Sequence, residues 1–369
     1  MAKTTNRLVS LDIFRGLTVA FMIIVNTPGS WKYVYSPLTH AKWHGCTPTD
    51  LVFPFFLFIV GVSSYYSLKK YGNEINGSSI FRILRRMVTI FAIGLLLNIF
   101  PYFGRDYSTL RIMGVLQRIA LAYGLGAIIC LVVRRDYLWI VTAVILLLYW
   151  GIMAYFGGAD PYSLENNFAT NVDLAILGKG HMYKGFGIPF DPEGLLSTIP
   201  AVCTVIIGYF IGEMISKNSA GGKTALKLLL FAAAAAGIGY LWGILFPINK
   251  PLWTSSYVLY TAGIAMAVLS LIYLVADVLK LQKWAGFFLV LGTNALFAFS
   301  LAIIWTKMMM FIKIQAATGE ISLYGWIYEK LCVPVAGNLN GSLMFAVLQL
   351  LLVWGVTLIL YRKKIMIRL

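Results

Sequence analysis

The stretch "DLVFPFFLFIVGVSSYYSL", residues 50–68, carries no charge after its first residue. A helix rises about 1.5 Å per residue, so some 20 apolar residues cross the ~30 Å of hydrocarbon in a bilayer. Lipid offers the backbone no hydrogen-bond partner, so a segment of this kind must satisfy its own amides, as a helix does. Nine further stretches have the same character, and the full set lies near 8–26, 49–68, 83–100, 112–133, 137–156, 194–215, 224–245, 254–276, 285–311 and 341–361. Composition agrees. With 60% hydrophobic and 12% charged residues, and a mean hydropathy of +0.81, the chain is excluded from the soluble class. The expected fold is all-α: a polytopic membrane protein of about ten transmembrane helices, forming a single domain over 1–369.

Lys and Arg usage sets the expected orientation, because positive charge near span ends is retained in the cytoplasm. With the N-terminus inside, the inner segments hold eighteen such residues: Lys3, Arg7, Lys69, Lys70, Arg82, Arg85, Arg86, Arg134, Arg135, Lys217, Lys223, Lys227, Lys280, Lys283, Arg362, Lys363, Lys364 and Arg368. The outer segments hold ten. Both termini are therefore expected in the cytoplasm, and the long connections 27–48, 157–193 and 312–340 face outward. The net charge of +16 calls for no nucleic-acid partner, since inner loops of this kind meet anionic membrane lipid. The first apolar run has no small-residue cleavage pattern and reads as an uncleaved span. Cys130 and Cys203 fall inside spans, which argues against a disulfide framework, while Cys46 and Cys332 share the outward side and could pair.

Ionisable groups within spans are costly unless paired or facing a wet cavity. Asp12 and Arg15, three residues apart, share a face of the first helix, as a structural ion pair or as part of such a cavity. Asn26 closes that helix as a cap or as an amide donor. In "LRIMGVLQRIA", Arg111 and Arg118 are seven residues apart on one face, with Gln117 beside the second. They suit a carboxylate partner or an anionic ligand. His181, Asp191 and Glu193 cluster before the sixth span, where "DPEG" also reads as a plain helix start with Asp191 as N-cap.

All three histidines, His40, His44 and His181, lie in outward connections. His40 and His44 have an i, i+4 spacing, but Pro37, Gly45 and Pro48 leave little room for the helix a metal pair needs, so no metal site is expected. Acid–base chemistry needs one histidine within reach of a substrate proton. Asp50, at the start of the second span, is placed to orient a histidine, to bind a substrate, or to cap the helix.

In order along the chain, "SLDIFRGLTVAFMIIVN", "LTHAKWHGCTPTDLVFPFFLFIVG", "LRIMGVLQRIA", "DPEGLLSTIP", "INKPLWTSSYVLY" and "LGTNALFAFS" resemble the membrane domain of the heparan-α-glucosaminide N-acetyltransferase family, in its compact prokaryotic form. The opening LDxxRG pattern also resembles other integral-membrane acyltransferases. The resemblance implies transfer of acetyl from acetyl-CoA, a co-substrate rather than a resident cofactor, to the amine of a glucosamine-type sugar. It places His40 on the family's active-site histidine and Asn26 on an asparagine beside it. His44 falls where the lysosomal enzyme has asparagine, and a homodimer is implied by analogy alone.

On this reading His40 takes the acetyl group or acts as general base, and Asn26 polarises the thioester carbonyl. Arg15, Arg111, Gln117 and Arg118 are candidates to line a cavity through the bundle, and Arg82, Arg85 and Arg86 could attract the nucleotide. The expected location is the inner (plasma) membrane, multi-pass. An O-acyltransferase acting on a cell-envelope glycan is a rival, as is a secondary transporter built on the same intramembrane charges.

Overall fold

The computed structural model describes residues 8–72, 74–101, 106–218, 221–316 and 319–367. Lys3, Arg7 and Arg368, counted above among the inward charges, lie outside the described residues. The chain forms α1 (Val9–Asn26), α2 (Val52–Leu68), α3 (Gly77–Ile99), α4 (Val115–Val132), α5 (Leu138–Phe156), α6 (Phe168–Leu177), α7 (Thr198–Lys217), α8 (Gly222–Trp242), α9 (Ser255–Tyr273), α10 (Gly286–Thr293) and α11 (Ala295–Phe311). A hairpin of β1 (Lys313–Ala316) and β2 (Gly319–Ser322) follows, paired antiparallel with Lys313 opposite Ser322, and then α12 (Leu323–Ile327) and α13 (Val333–Arg362).

All ten expected stretches fall on helices. Among the described residues, eight helical segments are long and apolar enough to cross a membrane, and α10 with α11 makes a ninth that bends by 71°. The tenth, α3, is 23 residues long but carries Arg82, Arg85 and Arg86 near its start. The bend lies at Asn294, whose side chain donates to Ile365 O (3.1 Å) and accepts from Ile367 N (2.8 Å). The segment 312–340, expected as a long connection, is instead the hairpin and a helical stretch leading into α13, where Gly337 breaks the helix at φ 73°.

The apolar core sits among α1, α2, α4, α7 and α9. Helices α2 and α7 meet at glycine: a Cβ on Gly61 would lie 2.0 Å from Val205 O, and one on Gly208 2.2 Å from Phe58 O. Lipid tails are as apolar as leucine, so small residues that let backbones touch supply the packing instead. The spans containing α5 and α8 are only 28% buried, with Leu147, Leu148, Leu230 and Phe231 exposed, which fits a lipid-facing perimeter.

Direct hydrogen bonds gather the connections 27–48, 106–114, 178–197 and 247–254 at one end of the bundle. Gly45 N donates to Ile248 O (2.7 Å), Gly29 N to Ser342 O (3.1 Å) and Ile112 N to His181 O (3.2 Å). Asp12 and Arg15 form the expected pair (2.9 Å). Arg15 also donates to Ser63 Oγ (2.7 Å) and Gly292 O (3.3 Å), tying α1 to α2 and to the end of α10.

Candidate active site

The loop before α2 is built around one carboxylate. Asp50 Oδ2 accepts from Ala41 N and Thr47 N, each at 3.0 Å, the second closing a capping box at the turn Pro48–Leu51. Asp50 Oδ1 lies 2.7 Å from His40 Nδ1. Capping and orienting a histidine, alternatives in the sequence, are thus the work of two oxygens of one side chain. An acceptor-only carboxylate at this distance favours the proton on Nδ1, the tautomer that leaves Nε2 as the basic ring nitrogen. Tyr257 Oη donates to the Asp50 carbonyl (2.6 Å), pinning the turn to α9.

His40 lies where two cavities meet. The inner one, about 140 Å³, runs among the helices and is lined largely by apolar side chains including Met22, Val25, Phe53, Phe56 and Phe299, with Asn26 on its wall. The outer one, about 440 Å³, is lined by Trp43, Tyr183 and Phe186 together with Asp50, Arg111 and Glu193. His40, Val115, Glu193 and Lys250 line both. Asn26 is the last residue of α1, its side chain exposed at the inner cavity.

Glu193 is held in place by a layered network. Arg111 binds Asp191 through two nitrogens (3.0 and 2.6 Å), reaches Glu193 through Nη2, and lies 4.6 Å from the Tyr183 ring centroid. Burial works against its charge, and the bonds to Asp191 and Glu193 outweigh that, lifting its pKa further above the usual range. Asp191 also accepts from Tyr183 N (3.2 Å) and Glu193 N (3.0 Å).

The expectation that Asp191 caps the sixth span is corrected here, because α7 begins only at Thr198. The amides ahead of it, Leu195 N and Leu196 N, donate to Asp173 Oδ1 (2.8 and 3.3 Å) from α6. Burial pushes the Asp173 carboxyl up to about 6. A Cβ on Gly194 would lie 1.7 Å from its Oδ2, so only glycine lets Asp173 reach this turn.

Other candidates from the sequence serve this frame from outside the cavities. Arg118 is fully buried, donates to Gly194 O (3.2 Å) and Ser197 Oγ, and lies 5.1 Å from the Trp253 ring. Gln117 is buried against Gly94 of α3. His181 Nδ1 bonds to Leu110 O (2.7 Å), stapling two connections. His44 Nδ1 accepts from Asn249 Nδ2 (3.3 Å) and makes no pair with His40, and among the described residues no cluster suits a metal ion. Asp12 and Arg15 line neither cavity among the described residues. Cys46 and Cys332 are free thiols, and burial raises that of Cys46 to about 12.

Sequence reasoning missed Lys250. Its Nζ lies 3.1 Å from His40 Nδ1 and 3.5 Å from Asp50 Oδ1, with 19% of the side chain exposed. The sequence signal was "INKPLWTS", a polar turn directly before an apolar span. Asp173 and the aromatic lining were missed as well, since nothing in their local spacing marks them.

Fold and site together define a helical membrane protein whose oriented histidine joins an apolar cavity to a polar, aromatic one. The family model described as heparan-alpha-glucosaminide N-acetyltransferase, catalytic, matches residues 7–242, and the chain belongs to that family. It is 28% identical over 342 residues to heparan-alpha-glucosaminide N-acetyltransferase of Homo sapiens, covering 76% of this chain and 50% of that protein. To the Mus musculus protein of the same name it is 27% identical over 347 residues, covering 77% and 52%. The chain thus spans about half the length of these curated relatives.

Proposed function

We propose that this protein moves acetyl from acetyl-CoA to the amine of a glucosamine-type sugar, with His40 as general base. The observation that carries the reading is the position of His40 at the junction of two chemically different cavities. The apolar inner cavity suits the thioester arm of the donor. The outer cavity, with ring faces from Trp43, Tyr183 and Phe186 and the carboxylate of Glu193, suits an amino sugar, whose ammonium a carboxylate attracts.

In this reading Asp50 fixes Nδ1–H; the bound ammonium first releases one proton to solvent, and Nε2 takes a second from the resulting amine as its nitrogen attacks the thioester carbon. The C–N bond forms, the Asn26 amide donates to the oxygen as it becomes an anion, and the C–S bond breaks. The imidazolium returns its proton to the leaving thiolate. A positioned base is worth roughly 10²–10⁴ in rate, and one oxyanion donor roughly 10²–10³. Two cavities sharing one histidine favour donor and acceptor bound together over an acetyl-histidine relay.

The charge bias supports a reading in which the His40 end faces outward, with Arg82, Arg85 and Arg86 at the cytoplasmic end where the nucleotide would arrive, and the proposed location is a plasma membrane. The test is purified protein with radiolabelled acetyl-CoA and either glucosamine or a hydroxyl-only hexose. Label in a hydroxylamine-resistant amide of glucosamine supports the reading. Label only in a hydroxylamine-labile ester overturns it in favour of O-acyl transfer.

A further inference from the structure

Lys250 sits in a turn that is built more firmly than a connection between spans requires. Asn249 Oδ1 accepts from Leu252 N (2.8 Å), Asn249 N donates to Thr254 Oγ1 (3.1 Å), and Trp253 N donates to Lys250 O (3.0 Å). Trp253, fully buried, is held at φ 50°, a left-handed conformation that side-chain-bearing residues rarely adopt. A strained residue persists only where its surroundings over-determine it. The same turn is fastened to the histidine loop, since Asn249 Nδ2 donates to Trp43 O (3.0 Å) and Ile248 O accepts from Gly45 N (2.7 Å). The backbones that carry Lys250 and His40 are therefore held side by side.

We propose that Lys250 is a positioning residue for His40: its ammonium, 3.1 Å from Nδ1, keeps the imidazole neutral and so keeps Nε2 available as a base near neutral pH. The problem it answers is set by Asp50. A carboxylate 2.7 Å from Nδ1 favours the charged imidazolium, which has no lone pair to accept a proton. A cation close to both groups opposes that charge and shares the carboxylate, leaving the hydrogen bond to fix the tautomer without raising basicity. The other charged or titratable groups lining the outer cavity are Arg111 and Glu193, which pair with each other, Lys42, which is exposed, and Tyr183. Cys46 stays a neutral thiol. Lys250 is thus the cation in direct contact with the imidazole. Burial lowers the pKa of Lys250, and the neighbouring Asp50 carboxylate works against that lowering.

This inference deepens the assignment of His40 as base and is tested without acetyl transfer. In a His44→Asn/His181→Gln background His40 is the one histidine left, and its neutral form reacts with diethylpyrocarbonate. The rate against pH gives the midpoint of its ionisation. Replacing Lys250 by Met, and separately by Gln, is expected to raise that midpoint by about one pH unit or more, whereas Lys250→Arg keeps it near the parent value. Thermal unfolding of each variant confirms that folded protein is compared. Unchanged midpoints in folded Met and Gln variants overturn the inference. A raised midpoint in protein that never acetylates a sugar upholds it while the functional reading fails.

Discussion

His40 Nδ1 and Asp50 Oδ1 lie 2.7 Å apart, although ten residues separate them, because the intervening loop folds its own amides, Ala41 N and Thr47 N, onto the second oxygen of the same carboxylate. Asp50→Asn keeps the shape but offers an amide that can donate to Nδ1, which moves the ring proton to Nε2 and leaves the cavity-facing nitrogen without its lone pair. The expected outcome is a fall in kcat of about 10²–10⁴ with little change in either KM. Steady-state kinetics with both substrates varied checks it, and a change confined to KM would count against an orienting role.

Arg111 holds two carboxylates, Asp191 and Glu193, at the wall of the outer cavity. Arg111→Met leaves both without their cation, a loss of about 3–5 kcal/mol for a pair of this burial. Arg111→Lys is expected to recover only part of it, since an ammonium cannot reproduce the two-nitrogen contact with Asp191. Unfolding of the purified variants in detergent gives the comparison.

Asp173 makes stability depend on pH in a defined direction. Burial pushes its carboxyl up to about 6, well above the ordinary range of an aspartate. A raised pKa contributes stability that is complete below the unfolded value and is lost as pH rises through the folded one. Wild type should therefore lose about 2–3 kcal/mol between pH 4 and 7 relative to Asp173→Asn, whose amide oxygen still accepts from Leu195 and Leu196. Thermal unfolding of both proteins across that range checks the slope, and parallel curves would refute it.

The two cavities predict separable effects on the two substrates. Phe186→Ala strips a ring from the outer cavity and should raise the acceptor KM about tenfold, leaving the donor KM unchanged. Phe299→Ala, in the inner cavity, should do the reverse. Coincident changes in both constants for either variant would mean that the cavities do not divide the substrates.

The spans were legible because a lipid environment forces every crossing segment to declare itself by length and apolarity. The break at Asn294 was not, since a run such as "FFLVLGTNALFAFS" reads the same bent or straight, and its anchor, the tail at Ile365 and Ile367, lies over seventy residues away. His40 and Asp50 were readable as neighbours in one loop. Lys250 was hidden for the opposite reason: in sequence it counts only as one of ten outward charges, and its meaning depends on a turn 210 residues from the histidine it touches. Arg118 and His181 carried the right chemistry for a site, and the partners they meet in the fold, Gly194 O and Leu110 O, lie far from them in sequence and could not be read there.

The central claim is that His40 moves the proton during acetyl transfer, and His40→Gln tests it most directly, since glutamine retains a polar side chain at that position but has no basic nitrogen. With radiolabelled acetyl-CoA and glucosamine both saturating, transfer to the sugar by the folded variant should fall about 10²–10⁴-fold, with donor binding retained. Transfer at the wild-type rate would contradict the account.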